Sequence, residues 1–452
     1  MKIALLPLYV KLYDEVAPQY HSIVQKFAND AAETLKRCGF EVETAPICCV
    51  ADEFEKAVRK FEAARCQALV TLHTAYSPSL EVIDTLCSTD LPIVVFDSTP
   101  DREYEFNYGD KLMLNHGIHG VQDMCNMLLQ RKKVFLIAAG HYQDEKYIER
   151  LSCKIKSAVM AYKFTHGKVG SVGGVFAGMG DFRVPDGTFN MQVINYTDDP
   201  AFMPGETAIA DEILYDRENF TFSPSLPPSI HRNTIVDCLK LRKWIEQNQL
   251  DAFTINFLKC GKELGFSIVP FLECSKAMSR QTGYAGEGDV LTALFNSAIM
   301  QVNSKTTFTE MFCPDWHGDR IFLSHMGEMN LALMDQKPYL NDCKWIFSDA
   351  QDAAIAYGCL QSGKAVLANI APGPDGKFTI IGANVKLTAQ NDTNLTSMRG
   401  WFTPANGMPI SEFLEKYSEL GGTHHLVLSY DFDMQYLKDF AKLIKCDFIE
   451  IC

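Results

Sequence analysis

No run of eighteen apolar side chains occurs among the 452 residues, so no segment reads as a membrane-spanning helix. Basic residues are in deficit: 42 Lys and Arg stand against 56 Asp and Glu, a net charge of −14. Such a chain is a poor ligand for phosphate backbones or anionic lipid, so neither nucleic acid nor a membrane is an expected partner. There is no Cys-x-x-Cys pair. The fifteen cysteines are scattered and odd in number, which suits neither a disulfide framework nor a zinc knuckle. They are expected to be reduced thiols, mostly small buried apolar groups, in a cytoplasmic protein. The P-loop signature and the G-x-S-x-G nucleophile elbow are both missing. "GSVGGVFAGMGDF" (170–182) is rich in glycine but runs into the turn "RVPDG" and not into a helix, so it is no dinucleotide fingerprint. Neither a repeat at solenoid or propeller periods nor a low-complexity tract is found. The N-terminal "MKIALLPLYVKLYDE" lacks a small-residue cleavage site and reads as a first strand, not a signal peptide.

What is present is an alternation of strand and helix. The length predicts two or three domains, and 47% hydrophobic content is ordinary for globular proteins. "KIALLPLYV", "ALVTLH", "LPIVVFDS" and "KKVFLIAAGH" are short, continuously apolar runs. Runs without alternation suit parallel strands covered on both faces. Residues 20–38, 53–65, 117–129 and 143–164 carry helical spacing between and after them. His73, Asp97 and His141 fall at strand ends, where doubly wound sheets bind ligands. From about residue 169 the α/β rhythm starts afresh, and from about 305 it gives way to strands separated by Gly, Pro and Asn. The expected architecture is α/β: two doubly wound, Rossmann-like parallel-sheet domains (1–168 and 169–304), then a mainly antiparallel β domain with helices (305–452).

The chemistry-bearing residues lie near glycines and strand ends. In "GYAGEGD" (283–289), Asp289 is placed to cap the following apolar helix, while Glu287 sits among three glycines with no such task. "TFTEMF" sets Glu310 between Phe308 and Phe312, and "FLSHMGEMN" ends a strand at His325. "GGTHHLVLSYD" sets His424 and His425 at the entry of another strand. Strand neighbours point to opposite faces, so only one of these two is expected to face a given pocket. Two carboxylates and two imidazoles suit Mn²⁺, Co²⁺, Fe²⁺ or Mg²⁺ with coordination positions left open. Each residue also has a plain structural reading: a Glu310 bonded to backbone, a core His325, a histidine pair capping a strand. His116 and His119, three apart in "LNHGIHG", can share a helix face and line a pocket or cap the helix start. Cys313 and His317 in "FCPDWHGD" are explained as well by surface-loop packing as by catalysis.

The quoted segments together resemble the L-arabinose isomerases of the arabinose/fucose isomerase superfamily. "GYAGEGD" looks like their "GFAGEGDW", and Glu310, "SHMGE" and "GGTHH" follow in the family's order. "LHTAYSP" looks like "LHTFSP" with one residue inserted, "LNHGIHG" like "LNQTAHG", "AAGHYQDE" like "VTGHWQD", and "FAGMGDFRVPDG" falls in register with "FGDNMREVAVTDG". The resemblance spans nearly the whole chain. It implies an aldose–ketose isomerase with Glu287, Glu310, His325 and His425 as ligands of a divalent metal, commonly manganese. It further implies Glu310 and Glu287 as catalytic base and acid, interchangeable in the assignment. His119, Met179 and Tyr76 are implied at the sugar, and His116 is expected beside them as a substrate-binding residue in place of the family's glutamine. The family's trimeric or hexameric assembly, with active sites between chains, is implied for this chain too.

Two departures point to altered sugar recognition. The family's "GSQHLYG" after the first strand reads "LPLYVKLYD" here, and the glutamine of "LNQTAHG" is His116. The substrate is therefore open among pentoses, hexoses, deoxy sugars and sugar acids. Arg399 and Trp401 in "SMRGWF" offer a carboxylate binder and a stacking surface, with ordinary surface packing as the simpler reading. The rival functions are an epimerase or other enediolate enzyme at the same metal, and a sugar-binding sensor without catalysis.

Overall fold

The computed structural model describes residues 1–104, 111–390 and 397–452. The chain folds into two compact units, Met1–Tyr162 with Gln435–Lys445, and Lys163–Met434 with Cys446–Cys452. No disulfide joins any of the cysteines.

In the first unit, strands β1 (Lys2–Leu8), β2 (Glu41–Thr44), β3 (Leu69–His73), β4 (Ile93–Asp97) and β5 (Phe135–Ala139) form a parallel sheet ordered β2-β1-β3-β4-β5. β1, β3 and β4 are buried almost throughout, as unalternating apolar runs require. Phe54, Phe61, Leu86 and Met124 pack on one face of the sheet; Phe27, Leu35, Leu151 and Ile155 pack on the other. The strand order reverses between β1 and β3, which opens a crevice at their C-terminal ends. The helix Met434–Leu443 joins this unit, with Asp439 3.2 Å from Lys154 Nζ.

The second unit begins with a parallel sheet, ordered β10-β9-β6-β7, of β6 (Lys168–Val172), β7 (Gln192–Asn195), β9 (Ala252–Ile255) and β10 (Gly283–Gly286). Between β7 and β9 the two-residue strand β8 (Thr221–Phe222) joins a larger sheet. That sheet comprises β11 (Thr306–Asp315), β12 (Arg320–His325), β13 (Tyr339–Cys343), β14 (Ala353–Cys359), β15 (Gly363–Pro372), β16 (Phe378–Thr388), β17 (Met398–Pro404), β18 (His425–Tyr430) and β19 (Asp447–Ile451). Antiparallel pairing runs β16-β15-β18-β11-β12-β17 and returns to β16, closing a barrel. The expected fold class is thus observed: parallel α/β sheets followed by an antiparallel β region.

Leu323, Leu367, Ile381, Val385, Phe402, Leu426 and Leu428 belong to the core that the barrel encloses. Alternation along β18 therefore turns His425 away from that core. The helix Val290–Met300 is buried along nearly its whole length and packs against strands of both sheets. An apolar surface on every side suits that position.

A buried ion cluster anchors the helix Phe271–Ser279. Arg242 forks onto Glu212 through two 2.7 Å bonds and also reaches Glu273 at 2.7 Å. Lys276 donates to Glu212 at 2.6 Å and pairs with Asp216, which faces His231 Nε2 at 2.8 Å. One residue before Lys276, the Ser275 hydroxyl donates to Gly327 O at 2.8 Å and accepts from Met329 N at 3.2 Å. The cluster thereby fixes the backbone on either side of Glu328.

Burial alone would raise the Glu212 carboxyl, but Arg242 and Lys276 bring it from an ordinary 4.5 to about 2. A carboxyl depressed in the folded state stabilises the fold above its unfolded value and ceases to do so as the pH falls through the folded one. Urea unfolding is therefore expected to show a stability loss from Glu212 between pH 4.5 and about 2, absent in Glu212→Gln. At neutral pH, Lys276→Met should cost about 3–5 kcal/mol, because it strands buried carboxylates; a change below about 1 kcal/mol would count against the cluster as an anchor.

Candidate metal centre

The "GYAGEGD" turn follows β10 and is held by β9. Glu287 N–H donates to Ile255 O at 2.9 Å, and Gly288 N–H donates to Thr254 Oγ1 at 2.9 Å. Glu287 itself has φ 64°, a left-handed conformation that is costly for a side-chain-bearing residue and is often found at functional sites. Its glycine neighbours leave little room for a side chain. A Cβ on Gly286 would lie 2.9 Å from His325 Cε1 and Nε2, and one on Gly288 would lie 2.4 Å from Gly174 O. Asp289 Oδ1 caps the following helix, accepting from Thr292 N at 2.8 Å, as the sequence suggested. Its other oxygen, Oδ2, is 2.8 Å from His425 Nδ1.

The barrel supplies the other members. Register pairs Glu310 on β11 with His425 on β18, so their side chains share a face. His425 Nε2 is 3.1 Å from Glu310 Oε1 and 3.7 Å from Glu287 Oε2. His325 ends β12; its Nε2 is 3.3 Å from Glu310 Oε1, and its Nδ1 is 2.6 Å from Glu328 Oε2. The buried Phe308 ring stands edge-on to both imidazoles, 5.0 Å from each. Phe312, the other flank of Glu310, is 52% exposed.

His424 also enters. Its Nε2 is 3.3 Å from Glu287 Oε2 and its Nδ1 is 2.6 Å from Asp181 Oδ2. Glu287, Glu310, His424 and His425 each offer a donor atom within 4.8 Å of all the others. The expectation that only one of the two histidines faces the site is therefore corrected. His424 precedes the first residue of β18, so pleat alternation does not govern it.

Charge balance makes the donor set fit a cation. Glu287, Asp289, Glu310 and Glu328 are buried, at 7%, 0%, 9% and 0% exposure, around the buried His325 and His425. Buried carboxylates without compensation are costly. Burial lowers the proton affinity of both imidazoles, but Glu328 and Glu310 carry His325 well above its ordinary value, and Asp289 and Glu310 raise His425. Burial raises Glu310, yet the same two histidines bring it below the carboxylate range. A divalent cation meets the same demand for positive charge while leaving the imidazoles neutral. His425 Nε2 is in addition a buried nitrogen with no hydrogen-bond partner, although Glu310 Oε1 is close. His425 and His325 each give Nδ1 to a buried carboxylate, the usual outer-shell arrangement of a metal-binding histidine.

Tyr76, His116 and His119 lie together in the first unit, with the His116 ring 5.9 Å from Tyr76 and 5.3 Å from His119. His116 Nδ1 faces Met113 O at 3.3 Å, so that nitrogen carries the hydrogen and Nε2 accepts from the Tyr13 hydroxyl at 3.2 Å. His73 is buried, its ring nitrogens have no hydrogen-bond partner, and burial lowers it to about 3. Met179 belongs to the loop after β6, but the ring stacked on His425 at 4.9 Å is that of Phe182. Trp401 packs on Phe322 at 4.9 Å and under Arg320 at 4.3 Å, in keeping with the packing reading. Sequence reasoning missed Asp181, Phe182, the role of Glu328 and the second role of Asp289. Glu328, three residues beyond His325, was the one legible signal among them.

Residues 305–447 match the L-arabinose isomerase C-terminal domain. The L-arabinose isomerase of Shouchella clausii (strain KSM-K16) is 24% identical over 98% of this chain and 93% of its own length. Those of Shigella flexneri serotype 5b (strain 8401) and Escherichia coli O139:H28 (strain E24377A / ETEC) are each 24% identical over 84% of this chain and 79% of their own.

Gly286→Ala pushes against the His325 ring, and a candidate site that uses His325 is expected to bind an added divalent cation about tenfold or more weakly in this variant, with the fold retained. Calorimetric titration with a circular-dichroism control reads this. Undiminished affinity would count against His325 as a ligand.

Proposed function

The chain is a divergent member of the L-arabinose isomerase family, and from that premise we propose that it is a metal-dependent isomerase interconverting an aldose and its ketose through an enediolate. The observation that carries the reading is the convergence of Glu287, Glu310 and two carboxylate-anchored imidazoles on one small volume. We assign Glu287, Glu310, His325 and His425 as ligands of a divalent ion, Mn²⁺ by preference, with Co²⁺, Mg²⁺ and Fe²⁺ sharing the same donor chemistry. His325 is preferred to His424 because it is buried and held by a buried carboxylate, as His425 is.

The reaction moves one hydrogen between C1 and C2 of the sugar. Held by Glu287, Glu310, His325 and His425, a divalent ion would supply Lewis acidity to the sugar, worth several kcal/mol. Glu310 is assigned as the base that takes the proton from one carbon and returns it to the other, and Glu287 as its acid partner. Tyr76, His116, His119 and Met179 are assigned to sugar binding. Assembly as a homotrimer or homohexamer, with active sites at subunit interfaces, belongs to the same proposal, as does a cytoplasmic location.

The test is a panel of aldoses and ketoses incubated with enzyme and Mn²⁺ in deuterated water. Aldose–ketose interconversion with deuterium entering C1 or C2 is expected, and Glu310→Gln should lower the rate on the order of 10²- to 10⁴-fold. Interconversion of two aldoses without a ketose would favour an epimerase. Binding without turnover would favour a sensor.

A further inference from the structure

The loop 173–183, between β6 and β7, is attached to the metal centre at both ends. Phe176 N–H donates to Glu287 O at 3.2 Å, and Gly174 lies close against Gly288. At the other end Phe182 stacks on His425. The Arg183 guanidinium ties the loop internally, donating to Met179 O at 2.5 Å and to Phe176 O. Between these attachments Asp181 Oδ2 accepts two hydrogen bonds from one residue: the His424 backbone N–H at 3.0 Å and its Nδ1–H at 2.6 Å. Two donors on a single oxygen fix both the place and the orientation of the ring. Nε2 is left directed toward Glu287 Oε2, 3.3 Å away.

The three imidazoles of the centre are not equivalent. The side chains of His325 and His425 are 2% and 0% exposed, and the carboxylates on their Nδ1 atoms are 0% exposed. The side chains of His424 and Asp181 are 35% and 39% exposed. An incoming molecule can reach His424, whereas the other two are enclosed.

We propose that Asp181 is a positioning residue that presents His424 Nε2, on the open side of Glu287, to a hydroxyl of the sugar, and that His424 serves the sugar and not the ion. The proposal rests on the isomerase reading above. A sugar that offers neighbouring hydroxyls to the ion needs a further hydrogen-bonding group beside Glu287 to fix its orientation. His424 is the exposed nitrogen base in that place, and the carboxylate on the loop holds its ring still.

The experiment uses the full chain and two probes: Mn²⁺ alone, and arabinitol, an acyclic pentitol with vicinal hydroxyls and no carbonyl, added to Mn²⁺-loaded protein. In Asp181→Ala the Mn²⁺ Kd should stay within about threefold, while the arabinitol Kd and the KM for a turned-over sugar rise about tenfold with kcat little changed, as when uniform binding is lost. Asp181→Asn, which keeps the shape and an acceptor oxygen, should fall between, and Asp181→Glu should restore part of the affinity. A loss of Mn²⁺ affinity parallel to that of His425→Ala would overturn the proposal by making His424 an ion ligand. Unchanged arabinitol binding in Asp181→Ala, or a wild-type protein with Mn²⁺ that binds no arabinitol, would overturn it as well. A wild type that binds both probes but turns over no sugar would sink the isomerase reading alone, and the two binding constants would still decide the role of Asp181.

Discussion

Four carboxylates buried around two buried imidazoles are the constraint on which the second unit depends. Carboxylates removed from water require positive charge or hydrogen-bond donors close by, and His325 and His425 stand against them here. The raised proton affinities of His325 and His425 and the lowered one of Glu310 express that requirement in the protein's own groups. The surrounding scaffold keeps these charges together. The cap of one helix supplies Asp289, a clamped loop supplies Glu328, and barrel register sets Glu310 beside His425.

Several of these residues serve both an element of the fold and the candidate site. Asp289 satisfies a helix terminus with one oxygen and orients an imidazole with the other. Ser275, on a helix locked by the Arg242–Glu212–Lys276 cluster, fixes the backbone either side of the carboxylate that orients His325. A disturbance far from the candidate site can therefore reach it through a short series of hydrogen bonds. The left-handed φ of Glu287 belongs to the same economy: the strain is held in place by bonds to β9 and by glycines on both sides.

Much of this was legible in the residues. Continuous apolar runs such as "LPIVVFDS" led to parallel strands because two-sided burial leaves no room for alternation. Glu287 and His325 stood out beside a glycine turn and at a strand end, Glu310 by its apolar setting, and His425 was preferred to His424 through the family resemblance. The role of His424 was not legible, because the pleat rule was applied to a residue that lies just outside its strand. Phe182 and Asp181 were not legible either. A loop rich in glycine carries no periodicity, so nothing in its sequence says which side chain will turn inward.

The sequence by itself determined the local matters: the type of each element, the turn that isolates Glu287 and the cap at Asp289. These follow from backbone sterics and side-chain period, which act over a few residues. Only the tertiary structure decided which carboxylate would orient which imidazole, and that residue 181 would meet residue 424. Those pairings are set by closure of the barrel and by the path of one loop across it. Contacts made across hundreds of residues leave no mark on the local pattern at either end.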